Sequence, residues 1–225
     1  MPVNDHAPVQ ITAYNWVPDF ARGFVRDLRP RWACEEIGID YSERLFNPAA
    51  PRPDAYYAEQ PWGQVPVVHE DGLEIFESGA TLIHFGEKDE RLLPRDPQAR
   101  MRAISWLFAA LNTIEPSMME LSTVDIFAKD EEWAKLRRPG LIRFIAQRLD
   151  RLSDALGEST WFAGDFSIAD IAMTTVLRQA QHTDLISARP RLDAYVARAS
   201  ARPAFARAMA AQLAALGDTP EPAVA

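Results

Sequence analysis

Apolar and polar residues alternate from Val9 to Tyr14, the period-two pattern of a half-buried strand. Trp16, Val17 and Pro18 follow as an aromatic loop. Phe20, Phe24, Leu28 and Trp32 recur every four positions, which predicts one face of a helix ending at Gly38. Pro30 conflicts with that helix, because proline lacks a backbone donor and should kink or restart it. Residues 39–46 read as a second strand and 47–53 as a proline-rich loop. Residues 65–69 and 73–76 read as two short strands, and the Asp71-Gly72 step between them is a hairpin signal. Glu77 and Ser78 then open a helix running to about Lys88.

Past this point the strand signal stops. Residues 91–97 carry two prolines and read as a linker. Met101, Ile104, Phe108 and Leu111 predict one long amphipathic helix, its face widened by Leu107, Ile114, Met118 and Leu121. Leu141, Phe144, Ile145, Leu149, Leu152 and Leu156 predict a second; Ile168, Ile171, Ala172, Thr175 and Val176 predict a third. Shorter helices follow Pro190 and Pro203. The expectation is an α/β domain over 8–90, a linker over 91–96 and an all-helical domain over 97–216. Residues 217–225 are polar and proline-containing and read as a disordered tail. No internal repeat is visible.

Composition narrows the function classes. A net charge of −8 argues against general attraction to nucleic acid or anionic lipid. No apolar run approaches the length of a membrane span, and residues 1–7 lack the apolar core of a secretory signal. Cys34 is the single cysteine, so neither an internal disulfide nor a Cys-x-x-Cys pair exists. It fills an apolar slot and reads as core. His69 and His84 have no metal-ligand spacing, and no metal is expected. These features point to the cytoplasm.

Three segments carry candidate chemistry. Ser167 and Asp170 have capping-box spacing, with Phe166 placed to staple onto Ile171, so this run marks a helix start. A catalytic role for Asp170 is the weaker alternative. Pro66 precedes a strand and is compatible with a cis bond that turns the Val65 backbone outward, toward a peptide-like ligand; an ordinary strand-initiating proline is the alternative. Ser78 lies where unpaired amides of a helix N-terminus attract a carboxylate, and Glu77 can meet an ammonium group. A plain N-cap explains the same residues.

The segments form an ordered set. Residues 60–68 resemble the cis-proline segment of glutathione transferases, and residues 77–83 the segment that follows it. Residues 92–97 resemble the family's linker, 162–170 its C-terminal capping motif, and 31–38 the end of its first helix. The resemblance spans about residues 9–210. It implies an N-terminal thioredoxin-like domain, a C-terminal helical bundle, and a homodimer that takes glutathione as co-substrate and a small hydrophobic electrophile as acceptor. Carried over by position, Val65 pairs with the cysteinyl part of glutathione, Pro66 is the cis-proline, Glu77 and Ser78 hold the γ-glutamyl group, and Gln64 reaches the glycyl end.

The pattern breaks where the thiol is activated. Family members use a tyrosine, serine or cysteine near the start of the first helix, but no serine, threonine, cysteine or tyrosine lies between Asn15 and Arg31. Tyr14, Trp16 and Arg22 are the candidate substitutes, each with a structural alternative: packing for Tyr14, ligand stacking for Trp16 and a solvated helix face for Arg22. Trp16, Phe20, Leu111 and Ile114 are the expected lining of an electrophile pocket between the domains, with core packing the safer reading for the last two. A scaffold that keeps the fold without the chemistry, or a glutathione-dependent isomerase, reductase or lyase, stays open.

Overall fold

The computed structural model describes residues 3–217. The chain folds as two compact units, one reaching Asp89 and resuming at Arg202, the other spanning Glu90–Ala201.

In the first unit, β1 (Val9–Tyr14) leads through a single 3-10 turn (Asp19–Ala21) to α1 (Leu28–Ile37). Then come β2 (Tyr41–Phe46), α2 (Asp54–Glu59), β3 (Val67–Glu70), β4 (Leu73–Phe76) and α3 (Ser78–Lys88). The sheet order is β2-β1-β3-β4, with β1 parallel to β2 and antiparallel to β3. This is a thioredoxin-like arrangement. The β3–β4 turn has Asp71 at φ 51° and Gly72 at φ 81°, the two positive values that a tight hairpin turn requires.

The helix expected from Phe20 begins only at Leu28. Pro30 falls in its first turn, and the first intrahelical bond runs from the Arg31 amide to the Asp27 carbonyl at 3.2 Å. The missing proline donor therefore leaves no acceptor empty, and the helix starts where proline is tolerated. Phe20 lies in the short 3-10 turn, outside α1, and is 45% exposed. Residues 54–59, given no element by the sequence pattern, form α2.

α9 (Pro203–Ala214) packs on α1 in the first unit, so the helical unit ends at Ala201 and not at the expected residue 216. Phe205 meets Trp32 edge-on at 4.8 Å, Arg207 donates to Glu35 Oε2 at 2.6 Å, and Arg202 bonds both Glu36 oxygens. The tail expectation also needs revision at Gly217, whose amide donates to the Asn15 carbonyl at 2.8 Å. The rest of that tail, 218–225, lies outside the described residues.

The second unit contains α4 (Pro97–Phe108), α5 (Glu115–Ser122), α6 (Glu132–Leu156), α7 (Ile168–Arg178) and α8 (Pro190–Ser200). The single long helix expected after residue 97 is interrupted by π-helical turns at Ala109–Ile114 and Thr123–Phe127. Its buried side is set by Ala103, Leu107, Ala110, Ile114, Met118 and Leu121, while Met101 and Phe108 are exposed. The expected linker is packed: Leu92 and Leu93 are buried, and the Leu92 carbonyl accepts from the Ile168 amide at 3.0 Å.

The capping box at α7 is formed. Ser167 Oγ accepts from the Ala169 amide, and Asp170 Oδ2 accepts from the Ser167 amide at 3.0 Å. Asp170 Oδ1 also accepts from Tyr195 at 2.9 Å and from the Phe162 amide. Burial pushes this carboxyl up to about 6, against the pull of those donors. With all its lone pairs engaged in the core, Asp170 is a structural residue.

Candidate active site

The hairpin register builds the site. Val67 lies opposite Phe76 in the β3–β4 ladder, so Val65 and Pro66 enter β3 at the same end of the sheet where Glu77 and Ser78 leave β4. β1 also finishes here, since Ile11 faces Val68 and the strand runs on to Tyr14. The Val65–Pro66 bond is cis. Val65 is buried, its neighbour Gln64 is exposed, and among the described residues no turn, loop or cap bond engages the Val65 backbone.

Glu77 occupies the N-cap of α3 with φ 67°, a left-handed conformation that a non-glycine residue adopts at a cost of about 1–3 kcal/mol. Its side chain is exposed and makes no capping bond. The amides of the first turn of α3 lack intrahelical acceptors by position, which makes the turn attractive to an anion. Ser78 is buried, and its hydroxyl oxygen accepts from Arg29 Nη1 at 2.9 Å. The hydroxyl proton remains free to donate, and the adjacent guanidinium polarises it toward an acceptor. A carboxylate meeting Ser78 thus finds a donor, a helix N-terminus and a buried cation together.

The motif pattern does not single out Arg29, which is 1% exposed. Its signal was available: Arg29 and Arg31 flank Pro30 in the first turn of α1, where the helix dipole disfavours cations unless something anionic or polar faces them. Arg31 finds Asp27 at 2.7 Å and also Glu43. Arg29 finds Ser78.

The thiol-activating candidates fare unequally. Tyr14 is half-buried at the end of β1, on the same face as Thr12, and Arg52 lies over its ring at 5.1 Å. That is the packing alternative. Arg22 donates to the Gly217 carbonyl at 3.1 Å, so its guanidinium holds the C-terminal segment. Trp16 is half-buried in the loop after β1. Burial raises the Cys34 thiol well above its ordinary value, in line with a core residue and against a nucleophile.

Trp16 and Phe20 belong to the first unit, Leu111 and Ile114 to the second. Ile114 is 4% exposed and lines a cavity of about 340 Å³ within the helical unit, with Trp106, Phe144 and Leu152. The safer reading of Ile114, core packing, matches this placement; Leu111 is half-buried.

Known proteins resemble this chain at both levels. The model of the glutathione S-transferase N-terminal domain matches residues 10–86, and that of the C-terminal domain matches 131–198. Glutathione S-transferase F9 of Arabidopsis thaliana is 32% identical over 169 residues, 69% of this chain and 74% of the relative. Glutathione S-transferase GstA of Escherichia coli O157:H7 is 28% identical over 165 residues, 71% of this chain and 79% of the relative. A glutathione transferase of Burkholderia graminis, solved with two glutathione molecules bound per subunit, superposes with a TM-score of 0.76 at 26% identity, covering 90% of this chain and 88% of that one. With sheet topology, domain models and relatives in agreement, the chain belongs to the glutathione S-transferase family.

Proposed function

We propose that this protein is a cytoplasmic, homodimeric glutathione transferase that binds glutathione along residues 64–66 and at Glu77 and Ser78. Its reaction is attack of the glutathione thiolate on a small apolar electrophile. The sulfur forms the new bond, the leaving group departs with its electron pair, and the thiol proton passes to solvent. The observation that carries this reading is the buried Arg29–Ser78 pair at the N-terminus of α3, a receptor for the γ-glutamyl carboxylate, with Glu77 beside it for the ammonium group. Val65 sits at the same end of the hairpin with a backbone free for the cysteinyl part, and exposed Gln64 suits the glycyl end. A free thiol ionises near pH 8.5, so turnover at neutral pH needs positive potential near the sulfur. The first turn of α1, with Arg29 in it, supplies such a field.

Calorimetry with glutathione up to millimolar concentration tests the binding. Absence of heat at that concentration would falsify the proposal. Turnover against chloroarenes, epoxides, peroxides and disulfides then identifies the acceptor class.

A second reading has its own observation. The stretch from Asn15 to Arg31 contains no hydroxyl or thiol side chain, and Arg22 is committed to a carbonyl. A glutathione-binding protein without conjugating activity fits that arrangement. Tight binding with no turnover across the same panel supports it; robust turnover removes it.

A further inference from the structure

Beneath residues 64–67 runs a chain of hydrogen bonds through two buried hydroxyls. The Val67 amide donates to Thr12 Oγ1 at 2.6 Å. Thr12 Oγ1 lies 3.0 Å from Tyr56 Oη, and Tyr56 Oη lies 2.7 Å from the Gln64 carbonyl oxygen. Thr12 is fully buried and Tyr56 is 2% exposed.

Proton accounting gives the chain a direction. A carbonyl only accepts, so the single Tyr56 proton goes to Gln64. Thr12 must then donate to Tyr56, while its own oxygen takes the Val67 amide. The order is Val67 N–H to Thr12, Thr12 to Tyr56, and Tyr56 to the Gln64 carbonyl. Aligned bonds of this kind strengthen one another in a dry interior. The two side chains come from β1 and α2, and they grip the Pro66 segment at both ends.

The direction has a consequence for the amide between those ends. Val65–Pro66 is the cis bond among the described residues, so the Gln64–Val65 peptide is trans. In a planar trans peptide the carbonyl and the N–H point in opposite directions. When Tyr56 draws the Gln64 carbonyl toward itself, the Val65 N–H must point away from Tyr56.

We infer that Thr12 and Tyr56 are positioning residues that aim the Val65 amide at the peptide carbonyl of a bound ligand. The Tyr56 ring is fixed for this task, with Phe46 4.5 Å away and Arg44 over its face at 5.4 Å. Arg52 steadies the preceding residue, donating to the Gly63 carbonyl at 3.1 Å. The inference rests on the reading that Val65 pairs with the cysteinyl part of glutathione. It adds two residues that touch no ligand and act through the backbone.

The test uses Tyr56→Phe, Thr12→Val and Thr12→Ser in the full chain. Tyr56→Phe and Thr12→Val are expected to raise the glutathione Kd by about fivefold to tenfold, the worth of one well-placed hydrogen bond. Thr12→Ser, which keeps the hydroxyl, should restore binding to within about twofold of the parent. In turnover assays the effect should fall on KM for glutathione more than on kcat. An unchanged Kd accompanied by a lower Tm would mean the hydroxyls only stabilise the fold, and would overturn the inference. If Tyr56→Phe does not fold, the Thr12→Val and Thr12→Ser pair decides by the same criterion. Should the unaltered protein fail to bind glutathione, the functional reading falls first. The positioning claim is then judged alone, by the ¹⁵N shift of the Val65 amide in ligand-free protein, and a shift indifferent to Thr12→Val sinks it.

Discussion

Two stretches meet where β1 ends, and they are held in different ways. Residues 64–67 and 77–78 are fixed by neighbours in the same α/β fold: Thr12 from β1, Tyr56 from α2 and Arg29 from α1. Residues 15–27, which lead into α1, are held in addition by bonds from the C-terminal segment. Gln212 in α9 donates to Asp27 Oδ1 at 2.6 Å and to the Val25 carbonyl at 3.1 Å. Gly217 bonds Asn15 and Arg22. On the proposed function, grip on glutathione is a local property of the hairpin, while the shape of the loop before α1 depends on α9. Binding and turnover should therefore respond to different substitutions.

The largest effect expected on that contrast is at Ser78. Ser78→Ala removes a donor to a charged group, and glutathione binding should weaken by about tenfold to a hundredfold, read by calorimetry. An unchanged Kd would break the contrast at its stronger side. Gln212→Leu comes next. It deletes two donors to the loop, one of them to the buried Asp27, at an expected cost of about 1 kcal/mol in denaturant unfolding. The value lies at the low end because Gln212 Oε1 has no partner to lose. In kinetics this variant should depress kcat while leaving KM for glutathione within about twofold, since the hydrogen bonds it removes lie outside the binding segment. The smallest effect is assigned to Tyr14→Phe. With Tyr14 packed under Arg52, turnover should change by less than about threefold, well short of the tenfold or more that general acid–base groups contribute. A fall of a hundredfold would restore Tyr14 as the activating hydroxyl and bring chemistry back into β1.

Features set by neighbouring residues are legible in the sequence alone. The Asp71-Gly72 turn, the Ser167–Asp170 cap and the helix start at Glu77 and Ser78 each follow from chemistry within four positions, and all are present. Features set by distant partners are not. Phe20 and Phe24 mimic a helical face, but the pattern carries no record of the turns that place them in a loop. In α4 and the π-helical turn after it, the larger Met101 and Phe108 mark the apolar pattern, whereas the small Ala103 and Ala110 face the interior. The amphipathic pattern of α9 predicts a buried face without saying which surface covers it. In the site, Val65, Pro66 and Ser78 were readable from motif order. Arg29, Thr12 and Tyr56 were hidden because a charged or hydroxylated side chain reads as surface until its acceptor is known.

The docking of α9 onto α1 carries a consequence for synthesis on the ribosome. The first 89 residues emerge with the whole sheet, yet Trp32 and the buried Asp27 await partners more than 170 positions downstream. Until residues 202–214 follow the intervening segment Glu90–Ala201, the face of α1 that α9 covers stays open to solvent. A fragment stopping at Asp89 should accordingly show up as insoluble or chaperone-bound, and adding residues 202–217 in trans should rescue it.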